Sequence, residues 1–219
     1  MFYIWLDHTR PVLGQTPKQY KCAALLLHPF VQMPDGFEGN ASLQEQMQYG
    51  KPITWHQVME LCDFQTFDEI LLALLTQSLA IGVPYARLDL AQKLNSALPN
   101  NILLPTDDRI SPFLWYPFLA LIHRKDWNQL YWSSPIQKRS TTIPLDFVTT
   151  EFFHNLPNGE CLLADSELRF VWMSRLDAYV TVFLSQDDEI EQLLQALPVE
   201  AIICDDATML WFAFSHMDA

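Results

Sequence analysis

Glycine is scarce, with six residues in 219. That leaves little material for a phosphate-cradling loop, and neither G-x-x-x-x-G-K nor G-x-G-x-x-G occurs. Long apolar runs are missing too. The longest nearly apolar stretch, Pro112 to Ile122, falls well short of the roughly 20 residues of a membrane span. The N-terminus, MFYIWLDHTR, lacks a basic leader region and its apolar run is too short for a signal peptide. No Cys-x-x-Cys pair exists: Cys22, Cys62, Cys161 and Cys204 are far apart, each beside an apolar run, as reduced buried thiols would be. The expected compartment is the cytoplasm, where the sequon at Asn40-Ala-Ser would go unused. None of the six histidines has a second histidine or cysteine three or four residues on, which argues against zinc. Ser133-Ser134 lacks the G-x-S-x-G elbow, and nothing in the spacing of His56 and Cys62 makes them a catalytic pair.

The most telling shortage is of cations. The chain has 13 Lys and Arg against 26 Asp and Glu, a net charge of −13. Residues 140–219 hold fourteen acids against Arg169 and Arg175 alone, a net −12, whereas residues 1–139 balance to −1. A nucleic-acid or anionic-membrane surface needs a cationic face, so neither partner is expected.

What is present is a globular composition, half hydrophobic and 13% aromatic. The clearest pattern runs from Glu160 to Ser215. ECLLAD (160–165), LRFVWMS (168–174) and AYVTVFLS (178–185) are short apolar segments split by polar connections, an antiparallel meander. Ser185 stands where a helix N-cap belongs, with Asp187, Asp188 and Glu189 in the first turn. Ile190, Leu193, Leu194 and Leu197 give that helix an apolar stripe before Pro198 ends it. AIICDD (201–206) and MLWFAFS (209–215) read as two further strands, making a βββαββ unit.

Upstream, FYIWLD (2–7) reads as a strand, residues 20–31 as either strand or helix, and residues 32–53 as a long irregular connection. Thr54 with Gln57, and Thr66 with Glu69, mark capping boxes for helices over about 55–62 and 67–80. The second is apolar around most of its circumference, as a central core helix would be. Further helices are expected over 87–98, from Ser111-Pro112 to Ile122, and over 145–156, with a strand at 130–132. Residues 133–143 are the best linker candidate, where the charge balance changes. The expected fold is α+β: a mainly helical part, 1–139, packed on an acidic antiparallel sheet, 140–219, with one core shared between them.

At YARLDLAQKLN (85–95), ILLPTDDRISPF (102–113) and EAIICDDATMLW (200–211) the chain resembles a bacterial family classified as a domain of unknown function. In that resemblance Asp205, Thr208 and Trp211 carry an Asp-x-x-Thr-x-x-Trp ending. The likeness spans roughly residues 80–215. It implies a bacterial protein and brings no activity. Acidic bacterial proteins of this α+β style are common among toxin-immunity proteins, an analogy of style.

Asp165, Asp205 and Asp206, with Glu167, stand at the ends of predicted strands and could converge on a hard cation, or could be turn residues bonding local backbone. Asp187, Asp188, Glu189 and Glu191 could be a docking face or a well-capped helix end. Arg87, Asp89, Thr106, Asp107, Asp108 and Arg109 could line a polar pocket, or cap helices and pair among themselves. Trp132, Trp172 and Trp211 are expected in the core. The reading that follows is a non-catalytic binding protein without a cofactor. Its acids at 165, 167, 187–189, 191, 205 and 206 would face a basic protein, as an immunity protein or inhibitor faces a nuclease-like toxin. The alternative is a metal-dependent hydrolase using strand-end carboxylates.

Overall fold

The computed structural model describes residues 1–215 apart from 38–40, 125–126, 157–158 and 189. The fold is α+β, and its sheet is larger than the expected unit. Seven antiparallel strands run in the order β10-β1-β9-β8-β7-β5-β6. They are β1 (Cys22–Leu27), β5 (Gln129–Ser134), β6 (Arg139–Pro144), β7 (Cys161–Asp165), β8 (Phe170–Ser174), β9 (Val180–Ser185) and β10 (Ala201–Ile203). A small second sheet, β3-β2-β4, joins Lys51–Ile53, Phe30–Gln32 and Ile102–Leu103.

The central strands β1, β7, β8 and β9 of the large sheet are buried on both faces, whereas the edge strand β6 is largely exposed. Residues alternate along each strand, so Leu25, Leu27, Val171, Met173 and Val182 enter one cluster while Leu26, Phe170, Trp172 and Phe183 enter the other. That is why β1 reads as an unbroken apolar run, and β9 as one broken only by Thr181 before its terminal Ser185, rather than as polar-apolar alternation. The first face is covered by α3 (Trp55–Cys62), α4 (Phe67–Gln77) and α5 (Leu88–Ala97), the second by α6 (Trp115–Arg124), α7 (Thr150–His154) and α8 (Ile190–Gln195). Both clusters draw residues from either side of position 139, and that position falls at the start of β6 in the β5–β6 hairpin.

The single-turn α1 (Val12–Gln15) has no side-chain cap, but α3 and α4 follow theirs. Thr54 and Gln57 form the full reciprocal box of α3. Thr66 accepts from the Glu69 N–H of α4, but the Glu69 carboxylate reaches the Gln65 N–H rather than closing the box. Every residue of α4 from Ile70 to Thr76 is buried, as expected of a central helix.

Several expectations are corrected. Residues 2–7 alternate like a strand, with Ile4 and Leu6 buried and Trp5 exposed, but pair with no strand among the described residues; Phe2 N–H donates to the Tyr131 hydroxyl. Residues 32–53 are not one loop: Ser42 and Glu45 box the start of α2 (Leu43–Tyr49), and β3 follows. Residues 133–143 are not a linker but the turn and outer arm of the β5–β6 hairpin. The helix over 145–156 is a 3-10 turn, Leu145–Phe147, then α7 alone. The segment 209–215 is not a strand: apart from one isolated bridge, Met209 to Pro11, it crosses the first face and ends in a 3-10 turn, Phe212–Phe214. The βββαββ unit therefore lacks its last strand and gains β1 between β9 and β10.

With so few glycines, the hairpin tips use other residues. Lys138, Leu168 and Asp177 adopt left-handed backbone at the β5–β6, β7–β8 and β8–β9 turns, where glycine is favoured.

Candidate functional site

Strand direction decides where the acids lie. β7, β9 and β10 all point the same way, so their C-terminal ends meet one end of the sheet. Register gives a cross-sheet row there: Phe170 opposite Ser185, and Ser185 opposite Cys22, with Asp165 beyond one flank and Asp205 beyond the other. Four strand spacings separate β7 from β10, roughly 19 Å at about 4.8 Å each. Asp165, Glu167, Asp187, Asp188, Asp205 and Asp206 are thus brought to one end, with Glu191 on α8 beside it, while Glu189 lies outside the described residues.

Their environments differ. Asp165 is 1% exposed; it accepts the Phe170 N–H at 3.0 Å and pairs with Arg169 Nε at 2.9 Å. It holds the β7–β8 turn and does not offer a free carboxylate, a correction to its expected place on a docking face. Glu167 shares Arg169 at 3.4 Å and is exposed. Asp188 pairs with Lys21 at 3.2 Å, both exposed. Asp205 Oδ1 accepts from Thr208 Oγ1 at 2.6 Å and from the N–H groups of Thr208 and Ala207, which together hold its carboxyl below the usual range. Asp187 and Asp188 precede α8 instead of filling its first turn, because the helix starts at Ile190; Ser185 Oγ accepts the Asp187 N–H in a local turn. These acids are spread along an edge. Asp165 and Asp205 stand four strands apart, and among the described residues no three His, Cys, Asp or Glu are grouped to hold a metal ion.

The six residues of the expected polar pocket separate into two places. Arg87 and Asp89 form a bidentate pair, Nε to Oδ1 at 2.9 Å and Nη2 to Oδ2 at 2.6 Å, at the start of α5, with the Asp89 carboxyl drawn down to about 2 by the guanidinium. Thr106 to Arg109 lie at the opposite end of the sheet from the acids. There the Thr106 carbonyl accepts from His28 Nδ1, Asp108 Oδ1 accepts the Asp177 N–H at 2.6 Å, and Arg109 donates to the Leu156 carbonyl. Asp107, partly buried beside Asp108, is pushed upward, and burial also lowers Arg109. These residues tie the 104–111 loop to the ends of β1 and β8 rather than enclosing a pocket with Arg87.

The same end holds groups that sequence reasoning passed over. Glu160 and Arg175, 5% and 10% exposed, form a buried ion pair, and the Arg175 guanidinium lies 5.3 Å from the Trp5 ring centre. Burial raises the Glu160 carboxyl and, more strongly, the nearby Tyr3 hydroxyl. Two lone bases in an otherwise acidic segment were the available signal. His28 is fully buried, with Nδ1–H donating to the Thr106 carbonyl at 2.6 Å and Nε2 accepting from Thr181 Oγ1 at 2.9 Å. The carbonyl fixes that neutral tautomer, and burial lowers the imidazole to about 4. His56 faces Glu200, whose carboxylate also accepts the Trp55 and His56 N–H groups at the start of α3, so it makes no pair with buried Cys62. The cysteines are free thiols, and no described helix is long and apolar enough to cross a membrane.

Trp172 is in the core, as expected, and Trp132 packs at its edge. Trp211 is half-buried: its ring lies tilted against that of His8, centres 4.6 Å apart, and it donates from Nε1 to the Asp177 carbonyl at 3.0 Å. It also lines a cleft of about 380 Å³ with Tyr85 and Phe214, so two distant blocks of the family-like pattern meet there.

No solved structure matches the chain. An uncharacterized protein of Bacillus subtilis (strain 168), YwbB, is 33% identical over 222 residues, covering 96% of this chain and 98% of the relative. The family described as "Protein of unknown function (DUF2711)" matches residues 8–213. The chain belongs to the DUF2711 family, in agreement with the resemblance carried by its Tyr-Ala-Arg block and its Asp-x-x-Thr-x-x-Trp ending.

Proposed function

We propose that this is a non-catalytic cytoplasmic binding protein whose acidic sheet end takes a basic protein, in the manner of an immunity protein or inhibitor against a nuclease-like toxin. The observation that carries the reading is the placement of exposed Glu167, Asp187, Asp188, Asp205 and Asp206 along one edge about 19 Å wide, with Lys21 and Arg169 as the cations paired to that row. A spread edge suits a protein surface better than a single ion. Its carboxylates accept from side chains in many geometries, and their field speeds the approach of a basic partner. The wide separation of Asp165 from Asp205 gives the hydrolase alternative no supporting geometry.

The test is affinity capture from a lysate of the source cell, wild type beside a variant with Asp187, Asp188, Asp205 and Asp206 changed to Asn, at low and moderate salt. Asn keeps the turn hydrogen bonds while removing charge. The expected result is a basic protein held by wild type, whose affinity, remeasured with purified components, falls at least about tenfold in the variant and with added salt. Equal retention of the same proteins by both forms would overturn the reading.

A further inference from the structure

The connection between α4 and α5 breaks the usual rule of surfaces. Within ten residues Leu79, Val83, Tyr85 and Leu88 all face solvent, with Val83 90%, Leu79 85% and Leu88 68% exposed. Single exposed apolar residues are ordinary, but four together expose on the order of 500 Å², near the largest patch of a typical monomer. Leu79 also holds left-handed backbone, φ 60°, where glycine is favoured. That conformation follows the C-cap Ser78 of α4, and beyond it buried Ile81 is followed by exposed Val83 and Tyr85.

Beside these protrusions is a hollow. Ala80, Ile81, Gly82 and Tyr85, interleaved with the exposed residues, form one wall of the 380 Å³ cleft, and Met209, Trp211 and Phe214 form much of the rest. Tyr85 meets Phe214 edge-on at 5.8 Å, and Trp211 lies 6.0 Å from Phe214, so the walls are braced before anything enters. A patch with a knob and a hole side by side can complement itself under a two-fold rotation. Charge favours the same occupant. Two copies at −13 each repel unless they meet where the local charge cancels, and residues 78–90 carry only Arg87 and Asp89, paired with each other. A basic protein drawn to the acidic end would gain no attraction here.

We infer that this patch is the interface of a homodimer, in which Val83 and Leu79 of one copy enter the Tyr85–Trp211–Phe214 cleft of the other. The test is the solution mass of the full chain by sedimentation equilibrium from about 1 to about 200 µM, the span over which a micromolar dimer dissociates. Wild type should pass from monomer to dimer. Val83→Glu, which places a charge on a solvent-facing side chain, should stay monomeric throughout with an unchanged thermal midpoint, while Leu61→Glu, on the exposed side of α3, should dimerise like wild type. A Val83→Cys variant should form a covalent dimer with a short bismaleimide at concentrations where wild type dimerises. A wild-type chain that is monomeric over the whole range, whether or not it sediments with neutral lipid vesicles, would overturn the inference. So would a Val83→Glu variant that dimerises as tightly as wild type.

Discussion

The two ends of the large sheet use the same residue types for opposite purposes. At the end where β7, β9 and β10 finish, every described carboxylate of the row except buried Asp165 stands in water, and these exposed acids pair loosely with Lys21 and Arg169 or hold short turns. At the other end Glu160 and Arg175 are buried against each other and Trp5, and Asp108 pins one loop to the next. Burial, more than residue identity, decides whether a charge holds the fold or is free to meet a partner. An exposed pair contributes about 0–1 kcal/mol, whereas breaking a buried pair costs about 3–5 kcal/mol because the surviving charge is stranded.

The contrast can be broken by mutation. Arg175→Met should have the largest effect, a loss of about 3–5 kcal/mol in denaturant unfolding, much of it recovered when Glu160→Leu is added. A double variant as unstable as the single one would show that the pair is not the structural unit. On the apolar side, Leu74→Ala, at a fully buried position of α4, should cost about 2–5 kcal/mol by the same measurement.

Buried His28, at the end that holds Glu160 and Arg175, offers a pH test. Its folded pKa, about 4, lies below the ordinary value of 6.5, so the unfolded chain binds the extra proton. The contribution is fully present above about 6.5 and is lost as pH falls towards about 4, amounting to about 3 kcal/mol. Unfolding of wild type between those values should lose stability with acid more steeply than that of His28→Gln; parallel curves would contradict the assignment. Smallest should be Asp188→Ala, which removes the exposed pair with Lys21 and should shift stability by less than about 1 kcal/mol.

Much of this was legible in the chain. The β7–β9 meander announced itself by short apolar runs between polar turns, α3 and α4 by caps, and α5 by the Pro99-Asn100-Asn101 stop that follows it. The centre of the sheet was not, because β1 pairs with β9 and β10 more than 150 residues away, and no local pattern encodes such a partner. Residues 2–7 and 209–215 have strand composition, yet cover the first face without entering the large sheet's ladder. The acids were visible as charge, but their sharing of one end depends on strand direction. The exposed Leu79 and Val83 were hidden because an apolar stretch following a core helix reads as more of the core.

In the proposed function, position rather than total charge would make the acidic end a binding surface. The most direct measurement is the association rate of a captured basic partner across ionic strength, for wild type and two variants that each neutralise four acids. One changes Asp187, Asp188, Asp205 and Asp206 to Asn; the other changes exposed Asp35, Glu60, Asp146 and Glu151 to their amides. A fall of at least about tenfold, together with a shallower salt dependence, is expected for the first and a near wild-type rate for the second. Equal slowing in both variants would mean that net charge alone attracts the partner, and would contradict the proposed role of position.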